Sequence, residues 1–308
     1  MTGGQRAEPA IAVVIPTYQR AGPVVRAVES ALSGGDPAVE VAVADDASTD
    51  GTAEVLGGID DPRFHLTVAR SHANGNVARN AGLALTTAPI IAFLDSDDVF
   101  LPGRLDRLRG YFAAHPDVDA VLDGFVVVEG GRREEVRHPT ACPQPGEWNE
   151  LLLAHALPLT CSAIAVRREA LDAVGGFDPT LTRHQDRDLL MRLTRAHRVA
   201  VGSGCDVVKY QSADSFSRKS KDYVAGLDAF TARHPALLDE AHRDLLAYLI
   251  ARGILRPLLA GRFAAAIGEG RALARATTLP RGLFAAFLRY PRGKVARRRL
   301  ANAFARGK

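Results

Sequence analysis

Cysteine is scarce in this 308-residue chain: Cys142, Cys161 and Cys205 are its only three. They are odd in number, far apart and form no CxxC pair. That excludes a disulfide framework or a zinc ribbon and fits a reducing compartment. Long apolar runs are missing as well. The longest uncharged stretch, residues 151–166, is interrupted by His155, Pro158 and Thr160 and is too short to span a bilayer. The first apolar run, residues 10–15, is not preceded by the charged start of a secretory leader, so a cytoplasmic chain is expected. Aromatics make up only 6%, with one Trp, while apolar residues reach 47% and charged ones 24%. This is the composition of a globular protein and not of a disordered or collagen-like one. The length allows one large domain or two.

What is present is unevenly distributed. Residues 241–308 hold 15 Lys and Arg against two acids, Asp244 and Glu269, a net of +13. The remaining 240 residues hold 24 basic and 33 acidic side chains, a net of −9. An acidic body with a basic appendage results, and such an appendage suits a polyanion or an anionic membrane surface. Its runs 245–250, 258–267 and 283–288, interleaved with Arg, could lie on a membrane as amphipathic helices. They could equally pack on the body or on another subunit. Nucleic acid is not expected as a partner, because aromatic interleaving is sparse and no recognition motif occurs.

Short apolar runs alternate with helical patterns from residue 10 onward. Strands are expected at 10–15 (stopped by Pro16), 39–44, 65–69 and 89–94, and helices at 24–32, 53–56, 77–85 and 105–113. Further on, a strand is expected over 120–128, which could pair with the region near Arg137, then a helix over 148–156, a strand over 161–166, a helix over 186–196 and one or two strands within 199–210. Beyond 219 the pattern is helical, punctuated by Gly and Pro. The alternation implies an α/β fold with a mostly parallel, Rossmann-like sheet covered on both faces. In such sheets ligands bind beyond the carboxyl ends of the strands.

Two of those ends carry clustered acids. Asp45-Asp46-Ala47-Ser48-Thr49-Asp50-Gly51-Thr52 forms a tight polar turn. It could offer a carboxylate to a base N–H or sugar hydroxyl, or simply cap the next helix. Asp95-Ser96-Asp97-Asp98 crowds three carboxylates at a buried strand end, where a divalent cation would relieve their repulsion. An all-oxygen site favours Mg²⁺, Mn²⁺ or Ca²⁺ over zinc or copper, and so few protein ligands suit one completed by substrate phosphates and water; the alternative is a solvated acidic turn. Arg79 could hold Asp46, face a diphosphate, or form an ordinary ion pair. Asp186, in Gln185-Asp186-Arg187-Asp188, sits in a first helical turn where the helix dipole favours its charged form. It is either a proton acceptor or an ordinary acidic cap.

Together with Val13-Val14-Ile15-Pro16-Thr17-Tyr18, Ala78-Arg79-Asn80-Ala81-Gly82 and Gly175-Gly176-Phe177-Asp178, these segments resemble family 2 glycosyltransferases of the GT-A fold. The resemblance covers about 10–210. It implies a GT-A catalytic domain over 1–215, with a nucleotide-sugar half at about 10–100 and an acceptor half at 101–215, followed by a helical extension over 216–308. It also implies a nucleoside-diphosphate sugar donor bound through Pro16, Thr17, Tyr18, Asp46, Arg79, Asp95 and Ser96, with Asp46 reading the base. Asp97 would meet Mg²⁺ or Mn²⁺, and Asp186 would act as the base of an inverting transfer to a hydroxyl acceptor. Trp148, His184 and Gln185 are candidates on the acceptor side, although Trp148 could instead anchor its helix and His184 be a plain loop residue. Residues 210–221 are expected to form a lid. The sequence departs from the family pattern at Gln19 (often Asn), Ala47 (often Gly) and Gln185 (often Glu). A lipid-linked acceptor, reached from the inner face of the plasma membrane through 241–308, would suit the basic tail. A sugar-phosphate nucleotidyltransferase would need a glycine-rich loop after the first strand, where Pro16-Thr17-Tyr18-Gln19 stands. The remaining alternative is a sugar-nucleotide-binding subunit without catalysis.

Overall fold

The computed structural model describes residues 10–138, 143, 146–211, 222–279 and 283–306. The chain divides into two compact units, the first formed by Met1–Thr140, Leu159–Pro179 and Arg192–Ser212, the second by Ala141–Pro158, Thr180–Met191 and Ala213–Lys308.

The first unit is built on a seven-stranded sheet. In chain order its opening elements are β1 (Ile11–Thr17), α1 (Ala21–Leu32), β2 (Val39–Asp45), α2 (Thr52–Gly57), β3 (Phe64–Val68), α3 (Gly75–Leu83) and β4 (Ile90–Phe93). There follow β5 (Val99–Phe100), α4 (Arg104–Ala114), β6 (Ala120–Leu122), β7 (Phe125–Glu129) and β8 (Arg132–Val136). After α5 (Glu147–Leu153), which belongs to the second unit, come β9 (Ile164–Arg167) and α6 (Arg168–Ala173). Helix α7 (Gln185–Ala196) gives 185–191 to the second unit and its remainder to the first, which β10 (Val199–Val201) and β11 (Val207–Tyr210) complete. The large sheet has the order β10-β6-β9-β4-β1-β2-β3 and is parallel except for β9, which runs against β4 and β6. Ile11, Val13, Ile15, Val41, Ile91 and Phe93 are fully buried in it, as strands covered on both faces must be. Helix α3 lies close on β1, since a Cβ at Gly82 would stand 2.8 Å from Val14 Cγ1.

Four boundaries differ from expectation. Pro16 does not end the first strand, which runs on to Thr17; β4 leaves β1 after Val14, so the proline's missing N–H falls where only β2 is paired. The single strand expected over 120–128 is two strands in different sheets. The break lies at Asp123-Gly124, where buried Arg104 and half-buried Arg107 both pair with Asp123 and a Cβ at Gly124 would stand 2.5 Å from the Val136 carbonyl oxygen. A 3₁₀ turn, Cys161–Ala163, precedes β9 where strand was expected. The small sheet β5-β11-β7-β8 was not expected as a separate sheet, because a two-residue strand such as β5 has no period to read, although its β7–β8 hairpin, with Phe125 across from Val136, is the pairing expected near Arg137.

The second unit also contains α8 (Tyr223–Arg233), α9 (Arg243–Leu259), α10 (Phe263–Arg275) and α11 (Leu283–Ala305). Gly253, Pro257, Pro291 and Gly293 do not punctuate these helices but lie inside them. Two of the glycines are there for contact. A Cβ at Gly253 would stand 2.6 Å from the Tyr223 ring, and one at Gly293 would run into the Asp244 carbonyl of α9. The run 245–250 is buried throughout, so it packs α9 into this unit and does not face a membrane. Among the described residues no helix is long and apolar enough to cross a bilayer.

Candidate active site

Strands β4, β1 and β2 are neighbours, so their carboxyl ends bring Asp95–Asp98, Thr17-Tyr18 and Asp45-Asp46 to one end of the sheet. At β2, the two acids divide their work. Asp45 turns back on its own loop and accepts from the Ser48 N–H and hydroxyl. Asp46, 2% exposed, accepts the Ala73 N–H at 2.9 Å and lies 2.9 Å from His72 Nδ1. The His72 ring lies on the exposed Tyr18 ring, centroids 4.0 Å apart and planes 23° apart. A flat nitrogen heterocycle thus stacks on Tyr18 and meets Asp46. Thr17 is buried beside them with its hydroxyl unpartnered, and Pro16 is buried within β1.

The loop positions that depart from the family pattern explain themselves by backbone geometry. Gln19 has φ +54° and Ala47 φ +64°, the left-handed region that Asn and Gly tolerate best. Gln19 offsets part of the strain through both ends of its amide, which donates to the Thr49 hydroxyl and accepts the Thr49 N–H.

At β4 the three acids are treated differently. Arg79 donates to Asp95 at 2.7 Å, so it holds this acid and not Asp46. Lys209, which sequence reasoning missed, lies 3.6 Å from Asp98 and 3.9 Å from Asp95. It arrives through the second sheet: Val208 of β11 pairs with Val99 of β5, and the same antiparallel register sets Lys209 across from Asp98. A lysine in a short apolar strand was the only signal available. Ser162 joins the group by donating to Asp98 at 2.6 Å and accepting the Asp95 N–H at 3.0 Å.

Burial alone would raise the Asp95 carboxyl, but Arg79 and Lys209 hold it below the ordinary carboxylate range. Burial pushes Asp98 up to about 7 despite Lys209, with Asp95 adding repulsion. Lys209 is kept protonated because Asp98, Asp95 and Asp97 outweigh its own burial. Asp97 is raised by burial and by the charge of Asp95. Among the described residues, no side chain hydrogen-bonds the Asp97 carboxylate, which is half-buried and under-compensated. That is a fit for a hard divalent cation. No group of three His, Cys, Asp or Glu side chains among the described residues could hold a metal alone, so Asp97 would need substrate oxygens to complete the shell. Ser96 is buried between these acids.

In the second unit, Asp186 stands half-buried in the first turn of α7 and accepts from the Arg187 N–H at 2.8 Å, with the Arg187 guanidinium at 3.6 Å. Gln185 precedes it, also half-buried. Trp148 is 3% exposed within α5, which is the helix-anchoring alternative. His184 is buried against His155, Tyr223 and Phe230. Burial, with Arg187 and Arg183 nearby, lowers its pKa to about 3. Both histidines hold left-handed backbone, φ +50° and +61°. Of the expected lid, residues 212–221 lie outside the described residues, as do Cys142 and most of 139–145.

The sequence profile described as glycosyl transferase family 2 matches residues 12–175. The chain belongs to that family. It is a family of glycosyltransferases, the class expected from the sequence. An uncharacterized glycosyltransferase of Nostoc is 29% identical over 179 residues, 56% of this chain and 55% of that protein. The succinoglycan biosynthesis protein ExoO of Rhizobium meliloti is 41% identical over 100 residues, 32% of this chain and 29% of its own length. The chain therefore spans only about half of one relative and less of the other. Staphylococcus aureus TarS, solved with UDP-GlcNAc, superposes with a TM-score of 0.64 over 97% of this chain and 92% of that one, at 18% identity. The fold is thus that of a GT-A glycosyltransferase, as expected.

Proposed function

We propose that this chain transfers a sugar from a nucleoside-diphosphate sugar to an acceptor hydroxyl with inversion, in the assembly of a polysaccharide or related glycoconjugate. The observation that carries the reading is the division of labour at one sheet end, a stacking ring and carboxylate at Tyr18 and Asp46 beside the under-compensated Asp97. A nucleobase would take the place of the His72 ring, stacking on Tyr18 and donating an N–H to Asp46. Arg79 and Lys209 keep Asp95 ionised and the acidic loop in place. Asp97 and the donor phosphates would hold Mg²⁺ or Mn²⁺, which would supply Lewis-acid stabilisation of the departing diphosphate. Asp186 offers a carboxylate suited to accept the acceptor's proton. The succinoglycan relative supports a polysaccharide product.

A thermal-shift screen of UDP, GDP, dTDP and CDP sugars with and without Mn²⁺ tests the donor half, and a specific metal-dependent rise in Tm is expected. No stabilisation by any donor would sink the reading. With Asp186→Asn, the donor-induced shift should persist while transfer is lost. Loss of both would make Asp186 structural.

A further inference from the structure

Most of the basic unit's apolar side chains are buried, with one concentrated exception. Where α9 ends and α10 begins, Leu259 is 84% exposed, Phe263 63% and Ile267 57%, and Leu258 is exposed beside them. The turn between the helices is made at Gly261, φ +70°. Along α10, Phe263, Ile267, Arg271 and Arg275 follow at four-residue steps, so they share one face, and all four are exposed. Ala264 and Gly268 widen that face without adding polarity. Exposed Arg256 and Arg262 flank the turn. The helix's single acid, Glu269, is buried elsewhere, accepting the Tyr223 and Val224 N–H groups at 2.8 and 2.7 Å. Among the described residues Arg256, Arg262, Arg271 and Arg275 form no ion pair.

We propose that this corner, Leu258–Leu259 with the Phe263–Ile267–Arg271–Arg275 face of α10, docks the protein on an anionic lipid surface. An exposed face that is apolar at one end, basic at the other and free of acids matches a bilayer interface, where apolar side chains enter the acyl boundary and arginines meet phosphates. The rival occupants fit less well. A second copy related by a twofold axis would bring two patches of the same positive charge together, with no acid on either to offset it. Four exposed apolar side chains also fall short of the roughly 1,200–2,000 Å² that stable interfaces bury. The inference stands apart from the transferase reading, since it uses none of that site's residues.

Co-sedimentation of the full chain with phosphatidylcholine vesicles, with and without phosphatidylglycerol, tests it. The wild type should pellet with the anionic vesicles alone, and less at high salt. Phe263→Glu with Ile267→Glu should lower that partitioning at least about tenfold, and Arg262→Gln with Arg271→Gln and Arg275→Gln should lower it and flatten its salt dependence. All these side chains are exposed, so Tm should hold. If it falls, Phe263→Trp gives an independent readout, because the introduced indole's emission should shift to the blue on anionic vesicles while that of buried Trp148 stays constant. A wild type left in the supernatant, acidic variants that pellet like the wild type, or an unshifted emission from the Phe263→Trp variant would each overturn the proposal. So would a wild-type dimer that the acidic pair converts to monomer without affecting vesicle binding.

Discussion

In the sheet unit the decisive titratable groups lie in opposed pairs beside the end of β4, Arg79 with Asp95 and Lys209 with Asp98, whereas the arginines along Phe263–Arg275 of the helical unit stand in solvent with no ionic partner among the described residues. Buried acids need compensation close by, and the compensating cations, Lys209 shared between Asp95 and Asp98, fix them in place. Solvated arginines need none and remain available for an outside anion. The first pattern builds a site inside the fold; the second leaves a surface waiting for a partner.

Removing the uncompensated acid should have the largest effect. Asp97→Ala is expected to lower transfer by roughly three orders of magnitude or more with the fold intact, because stabilisation of the leaving group is lost. Initial rates across a Mn²⁺ titration would check it, and near-normal rates would place Asp97 outside the chemistry. Removing a compensating cation should instead strike the fold. Lys209→Met removes the ammonium that Asp98 and Asp95 share and should cost about 3–5 kcal/mol in urea unfolding above pH 7, where Asp98 is ionised, and less below it, where Asp98 takes up a proton, with Lys209→Arg recovering part of it.

The helical unit should respond to pH where its buried histidines meet the solvent's protons. His184 is held neutral to about pH 3, and His155 is lowered in the same direction by burial and by Arg187. Unfolding frees both to protonate below about 6.5. Stability is therefore complete above that pH and falls as pH drops toward the folded values, by about 2 kcal/mol at pH 5 from His184 alone. Denaturant midpoints between pH 7 and 5 would show it, and a flat profile would mean that the histidines already protonate in the native state. A close-contact glycine sharpens the contrast between units. Gly293→Ala presses a methyl into a backbone carbonyl and should cost about 2–3 kcal/mol, while Gly82→Ala meets the methyl of buried Val14 at a longer distance and should cost about 1–2 kcal/mol. The smallest change is a gain: Ala47→Gly relieves a left-handed alanine and should add about 1 kcal/mol to stability.

Local pattern carried a good part of the fold into view. The runs that became β1, β2 and β4 are apolar, β-branched and short, and each ends in the polar turn that the sheet later brings to one edge. Family membership followed from the same segments, since spacing along the chain is a one-dimensional property. Of the second sheet only the pairing of β7 near Arg137 was legible; its separation from the large sheet was not, because β5 is two residues long and the 120–128 run reads as continuous. Nor were the helices that pass through Pro257, Pro291 and Gly293, where packing against α8 and α9 overrides local propensity.

The order of residues determined which groups are present and which strand ends carry them. It did not determine their ionic partners. Arg79 meets Asp95 instead of Asp46 because β4 adjoins β1 beneath α3, and Lys209 meets Asp98 because β11 pairs with β5 in one register. Only those tertiary pairings leave Asp97 as the acid of this loop that forms no ion pair among the described residues. The physical reason is range: charge balance in a buried site is settled over a few ångströms in space, between residues that lie far apart along the chain.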